Sequence, residues 1–134
     1  MKRILVEYLE HEGYEVEEYG TDSTESVDFT EFAFVLGSNV VKKKVDKGIA
    51  ICGTGLGRSI ALNKIDGIYC AKVNSINETV LCRQHNDANV IAMSADLDED
   101  LAREMVDKFL ETKFLGDAKY KRRNNMIKDI EKNG

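Results

Sequence analysis

At 134 residues the chain has the length of one domain, with enough material to bury a sizeable core. Its 43% hydrophobic and 32% charged residues are ordinary for a globular protein, and a net charge of −5 argues against nucleic acid as the main partner, because neutralising phosphates needs a basic face. No apolar run reaches the roughly 18–20 residues of a membrane span and no signal-peptide pattern is seen, so no membrane partner is expected, and the three cysteines are expected as free thiols in the reducing cytoplasm.

In chain order, Lys2 to His11 predicts an amphipathic helix with Ile4, Leu5, Tyr8 and Leu9 on one stripe, stopped by Gly13. Tyr14 to Tyr19 alternates and predicts a strand, closed by Gly20 and the polar turn Thr21 to Glu25. Asp28 is placed to cap a second helix whose apolar stripe is Phe32, Ala33, Leu36 and Val40. Gly48 to Cys52 predicts a short apolar strand, followed by a glycine loop and a helix through Ile60, Ala61 and Ile65 that Gly67 ends. Ile68 to Val73 predicts the next strand, Asn74-Ser75 caps a helix from Ile76 to about His85, and Asn89 to Met93 predicts a further strand. Asp98, Glu99 and Asp100 suit the positive end of a helix running to about Lys113. Gly116 breaks that pattern, and a basic, polar helix follows from about Lys119. Strands alternating with helices of this length predict a single α/β domain over residues 1–134, with a parallel sheet covered on both faces. The chain opens directly on a helix, so a first strand is expected to be missing ahead of residue 1.

The segment Cys52-Gly53-Thr54-Gly55-Leu56-Gly57 carries the chemistry. Alternate glycines at a strand's carboxyl end let backbone N–H groups turn inward as an anion cradle. It is not a P-loop, since no Gly-Lys-Ser/Thr follows, and Arg58 stands where a dinucleotide loop needs its third glycine. Cysteine is often an inert packing residue, but a thiol beside a helix N-terminus has its thiolate favoured and can serve as nucleophile or base. Cys70, within a strand, and Cys82, on an apolar helix stripe, lack that setting and are expected to pack. His11 is expected in solvent, whereas His85 ends a helix just before a strand, as either a hydrogen-bonded terminal residue or an acid–base group. Two histidines and well-separated cysteines argue against a zinc site. Lys119 and Arg123, four apart, share a helix face and can grip a phosphate together, or simply face water.

Taken together, Cys52–Gly57 and the run His85-Asn86-Asp87-Ala88-Asn89 resemble the ribose-5-phosphate isomerase B / galactose-6-phosphate isomerase family. The similarity covers nearly the whole chain, including Asn63-Lys64, Gly67-Ile68 and the basic C-terminal helix. The resemblance implies a Rossmann-like three-layer αβα sandwich, assembled as a homodimer or dimer of dimers. Segment 118–134 would be a helix packing on a partner subunit, with sites at the interface. It implies aldose–ketose isomerisation of a sugar phosphate, with no metal or other cofactor. Cys52 would be the base, with Thr54 and the N–H groups of Gly53, Gly55 and Gly57 holding the enediolate. His85 would assist ring opening, Asn86 would bind an oxygen, and Lys119 and Arg123 would hold the phosphate. The Cys-plus-His pair favours the ribose 5-phosphate type.

The chain also departs from that family. An opening Asp-His-Ala-Gly-like motif is absent, Asp96 stands where an arginine binds phosphate, Lys119 and Tyr120 replace an Arg-His pair, and Asp28-Phe29-Thr30 replaces Asp-Tyr-Pro. These differences keep open a second reading, a non-catalytic or partner-dependent subunit of the galactose-6-phosphate isomerase kind.

Overall fold

A computed structural model of the chain describes residues 1–19 and 29–133; Gly20, the turn expected over Thr21–Glu25 and the cap expected at Asp28 lie outside the described residues. The elements run α1 (Lys2–His11), α2 (Phe29–Val41), β1 (Gly48–Cys52), α3 (Leu56–Asn63), β2 (Cys70–Lys72), α4 (Ile76–Asn86), β3 (Val90–Ser94), α5 (Glu99–Glu111) and α6 (Ala118–Asn133). The three strands are parallel in the order β1-β3-β2, with Gly48 opposite Val90 and Cys52 opposite Ser94.

Strand alternation makes the layers. In β3, Ile91 and Met93 turn to one face and meet Leu5 and Leu9 of α1 and Ala102, Met105, Val106 and Phe109 of α5. Val90 and Ala92 turn to the other and meet Ala33 and Val40 of α2 and Leu62 of α3. Successive strand side chains point to opposite faces, so a central strand with no polar residue inside it must be covered twice. The result is the expected αβα sandwich. Phe109, Leu62, Ile91 and Met93 are fully buried, and leaving water contributes about 1.5–3 kcal/mol for each such side chain.

Local chemistry sets the element ends. The Ser75 hydroxyl accepts the Glu78 N–H at 3.1 Å while the Glu78 carboxylate accepts the Asn74 N–H at 2.9 Å, a reciprocal cap on α4. Asp98 caps α5 by accepting the Leu101 N–H at 3.1 Å. The side-chain amide of Asn63 bonds both the N–H and the C=O of Cys70 at 2.8 Å, standing in for a neighbouring strand along β2. Gly67 does not end α3, which stops at Asn63; with φ +91° it turns the chain into β2 instead.

A second expectation fails. Residues Tyr14–Tyr19 pair with no strand among the described residues, although Val16 does turn onto the core. Alternation selects which side chains turn inward, but a strand also needs a partner's backbone within about 5 Å. Here a cavity of about 920 Å³ lies between this segment and β1, lined by Val16, Leu36, Ile49 and Ile51. Thus β1 forms an edge of the sheet among the described residues.

Candidate active site

Cys52 is the last residue of β1, and the chain leaves the sheet there into Gly53-Thr54-Gly55 before α3 begins. The loop folds back on the thiol: the Gly55 N–H donates to Cys52 Sγ at 3.0 Å. The Thr54 hydroxyl accepts the Leu56 N–H at 3.2 Å and so caps the turn into α3. The N–H groups of Gly53, Thr54, Gly57 and Arg58 have no acceptor among the described residues. These four donors lie in the loop and first helical turn that follow a half-buried thiol, and a helix N-terminus of this kind favours negative charge.

Gly55 is the glycine this turn requires. Its φ is +82°, and a Cβ would lie 3.1 Å from the backbone carbonyl carbon of Met93, which cannot give way. A Cβ on Gly53 would meet nothing within 4 Å. Gly55→Ala is therefore expected to lower the melting temperature by several degrees and turnover by about tenfold or more, since the loop must lift off β3 and the thiol loses its donor. Gly53→Ala is expected to be milder on both counts, and thermal unfolding with a turnover assay checks the pair.

The other two thiols lie elsewhere. Burial, with the neighbouring Cys82, pushes the Cys70 thiol up to about 12, and burial pushes Cys82 up to about 11. Both are inert packing groups near neutral pH.

His85 and Asn86 end α4, and their placement is fixed from beneath by Arg83. That guanidinium is buried and donates to the carbonyls of Thr112 (3.0 Å) and Ala88 (2.7 Å) and to the Asp87 carboxylate (2.8 Å), tying the end of α4 to the end of α5. Helix α6 then covers the site. The His85 ring stacks on Tyr120 with centroids 4.4 Å apart and planes 17° from parallel. Asn124 accepts from the Asn86 side chain at 3.1 Å and donates to the His85 carbonyl at 3.2 Å. Lys119 Nζ lies 5.0 Å from the Tyr120 ring centre, and Arg123 is exposed on the same helix. Sequence reasoning met Tyr120 only as a departure from the family's helix motif and gave Asn124 no part in the site. Their spacing of four on one helix face was the available signal, but which helix they meet is a tertiary fact.

Within one copy of the chain the two clusters do not meet. β1 and β3 run parallel in register, with Cys52 at their carboxyl end and Gly48 and Val90 at their amino end. His85 and Asn86 precede Val90, so they lie beyond the amino end. The length of β1, about 13 Å along the strand direction, separates the thiol from the imidazole. Cys52, Thr54, Gly53, Gly55 and Gly57 form one group; His85, Asn86, Lys119 and Arg123 form the other.

The ribose/galactose isomerase family profile matches residues 1–127 of the chain. The chain belongs to that family. It is 38% identical to ribose-5-phosphate isomerase B of Escherichia coli over 132 residues, which cover 98% of this chain and 88% of the relative. Ribose-5-phosphate isomerase B of Clostridium thermocellum superposes with a TM-score of 0.95 at 40% identity, covering 98% of this chain and 89% of that one. The Mycoplasma genitalium enzyme, solved with bound ribulose 5-phosphate, superposes with a TM-score of 0.92 at 34% identity, covering 99% of this chain and 89% of that one. As a member of the ribose/galactose isomerase family, the chain is a sugar-phosphate isomerase, which interconverts an aldose and a ketose. No helix among the described residues is long and apolar enough to cross a membrane.

Proposed function

We propose that the chain interconverts ribose 5-phosphate and ribulose 5-phosphate, with Cys52 as the base, in sites built from two copies. The observation that carries this reading is the Cys52 thiol under the Gly55 N–H, beside four backbone donors with no acceptor among the described residues. A C–H next to a carbonyl is only weakly acidic, so its proton leaves only if fixed donors receive the charge that develops on oxygen. In the proposed step the Cys52 thiolate takes the proton from C2 of the open-chain aldose. The electron pair moves onto the C1 carbonyl oxygen as an enediolate held by Thr54 and the loop N–H groups; the thiol returns the proton to C1, and the C2 hydroxyl proton passes to the C1 oxygen as the C2 carbonyl forms. His85 assists ring opening, Asn86 binds a sugar oxygen, and Lys119 with Arg123 holds the phosphate. A bound ribulose 5-phosphate in the Mycoplasma genitalium relative supports this choice of sugar.

The two-copy arrangement is supported by surface as well as by separation. Helix α6 buries none of its residues, and Met126 and Ile130 are 60% and 70% exposed. On α3, next to the loop, Leu56 and Ile60 are one turn apart and 54% and 63% exposed. Apolar stripes of this kind are the expected core of an interface. A homodimer, alone or paired into a dimer of dimers, would cover them and carry His85 of one copy to Cys52 of the other. A coupled assay for ribulose 5-phosphate formed from ribose 5-phosphate tests the reading. Turnover in the range of about 1–10³ s⁻¹ is expected from the homo-oligomer. An inactive homo-oligomer that works only with a second polypeptide would overturn it.

A further inference from the structure

The end of β3 holds the glycine loop, and one side chain, Ser94, takes part. Ser94 stands opposite Cys52 in the strand register. Its hydroxyl donates to the Gly53 carbonyl at 2.7 Å and accepts the Asp96 N–H at 3.1 Å. One residue on, the Ala95 N–H donates to the Cys52 carbonyl at 2.8 Å. Two successive carbonyls of the loop are thereby turned toward β3.

A peptide unit is planar and trans, so its C=O and N–H point in opposite directions. With the Gly53 carbonyl on Ser94, the Thr54 N–H is turned away from β3, and it has no acceptor among the described residues. The same anchor fixes the start of the turn that sets the Gly55 N–H on Cys52 Sγ, while Met93 stops Gly55 from sinking further. We propose that Ser94 is a positioning residue of the isomerase site: its hydroxyl fixes the Gly53–Thr54 peptide so that the loop's N–H groups face the Cys52 thiol and the enediolate oxygen. The proposal rests on the reading of Cys52 as the base. Nothing in the local sequence marks Ser94, because its partner lies 41 residues away.

Ser94→Ala removes the anchor, and Ser94→Thr keeps the hydroxyl. Two readouts are taken on the intact oligomer: kcat and KM for ribose 5-phosphate, and the thiolate titration followed by absorbance near about 240 nm, with Cys52→Ala as the blank. Cys70 and Cys82, pushed up to about 12 and 11, are silent below about pH 9.5. In Ser94→Ala, kcat is expected to fall about 10- to 100-fold with KM within about twofold, and the thiolate midpoint to rise by about half a unit or more. Ser94→Thr is expected to restore both. A purely structural serine would leave the titration where it is, so an unmoved midpoint in Ser94→Ala overturns the proposal whatever turnover does. Failure of Ser94→Thr to restore the midpoint overturns it as well. If Cys52→Ala turned over at the normal rate, the base assignment would fall instead, while the titration of Ser94→Ala would still report on the anchor.

Discussion

Cys52→Ala is expected to lower kcat for ribose 5-phosphate by about 10²- to 10⁴-fold with little change in KM, the range found when a positioned general base is removed. The side chain is half-buried at the end of β1 and is small, so alanine fills its place without disturbing the core, and the melting temperature is expected to hold. The loop N–H groups remain in the variant and, under the proposed mechanism, still receive the charge on the enediolate oxygen, so residual turnover above the uncatalysed rate is expected. Cys70→Ala and Cys82→Ala serve as the contrast. Both thiols are pushed up by burial and lie away from the loop, so these variants are expected to lose some stability and keep turnover within about twofold. The coupled assay with thermal unfolding on the three variants checks this. A Cys52→Ala enzyme with normal kcat, or a Cys70→Ala enzyme that folds but is dead, would contradict the assignment.

The second large effect concerns two variants mixed together. Cys52→Ala and His85→Ala each damage one cluster, and each is expected to be strongly impaired as a homodimer. If each site takes its thiol from one copy and its imidazole from the other, a mixed dimer contains one site with both defects and one with neither. After subunit exchange about half the dimers are mixed and half their sites are intact, so activity is expected to return to about a quarter of the wild-type level. Were the site contained in one chain, every site would keep one defect and mixing would restore nothing. The assay before and after exchange decides between the two. The separation of Cys52 from His85 by the length of β1 makes the outcome sharp, since no side-chain rotation spans about 13 Å.

Much of the fold was legible because its signals are local. The α1 stripe, the Asn74-Ser75 cap, the acidic start of α5 at Asp98–Asp100 and the apolar runs that became β1 and β3 each express a preference of neighbouring residues. The segment Tyr14–Tyr19 shows where that stops. Val16 does turn onto the core, yet a strand exists only through hydrogen bonds to another strand, and β1 lies across a cavity. Gly55 was legible as a loop glycine, but the reason it must be glycine, the Met93 backbone 3.1 Å from where its Cβ would be, comes from a strand 35 or more residues later.

By itself the sequence determined the α/β class, the thiol–glycine loop at a strand end, the histidine–asparagine pair at a helix end, and, through their combination, the isomerase family. Only the tertiary structure decided that these two motifs lie at opposite ends of the sheet, that Tyr120 and Asn124 hold one of them, and that Ser94 holds the other. The physical reason is the same each time. Residue type and spacing fix what a short segment prefers, whereas strand order and direction fix which distant segments share an end of the sheet, and neither is written in any local stretch of the chain.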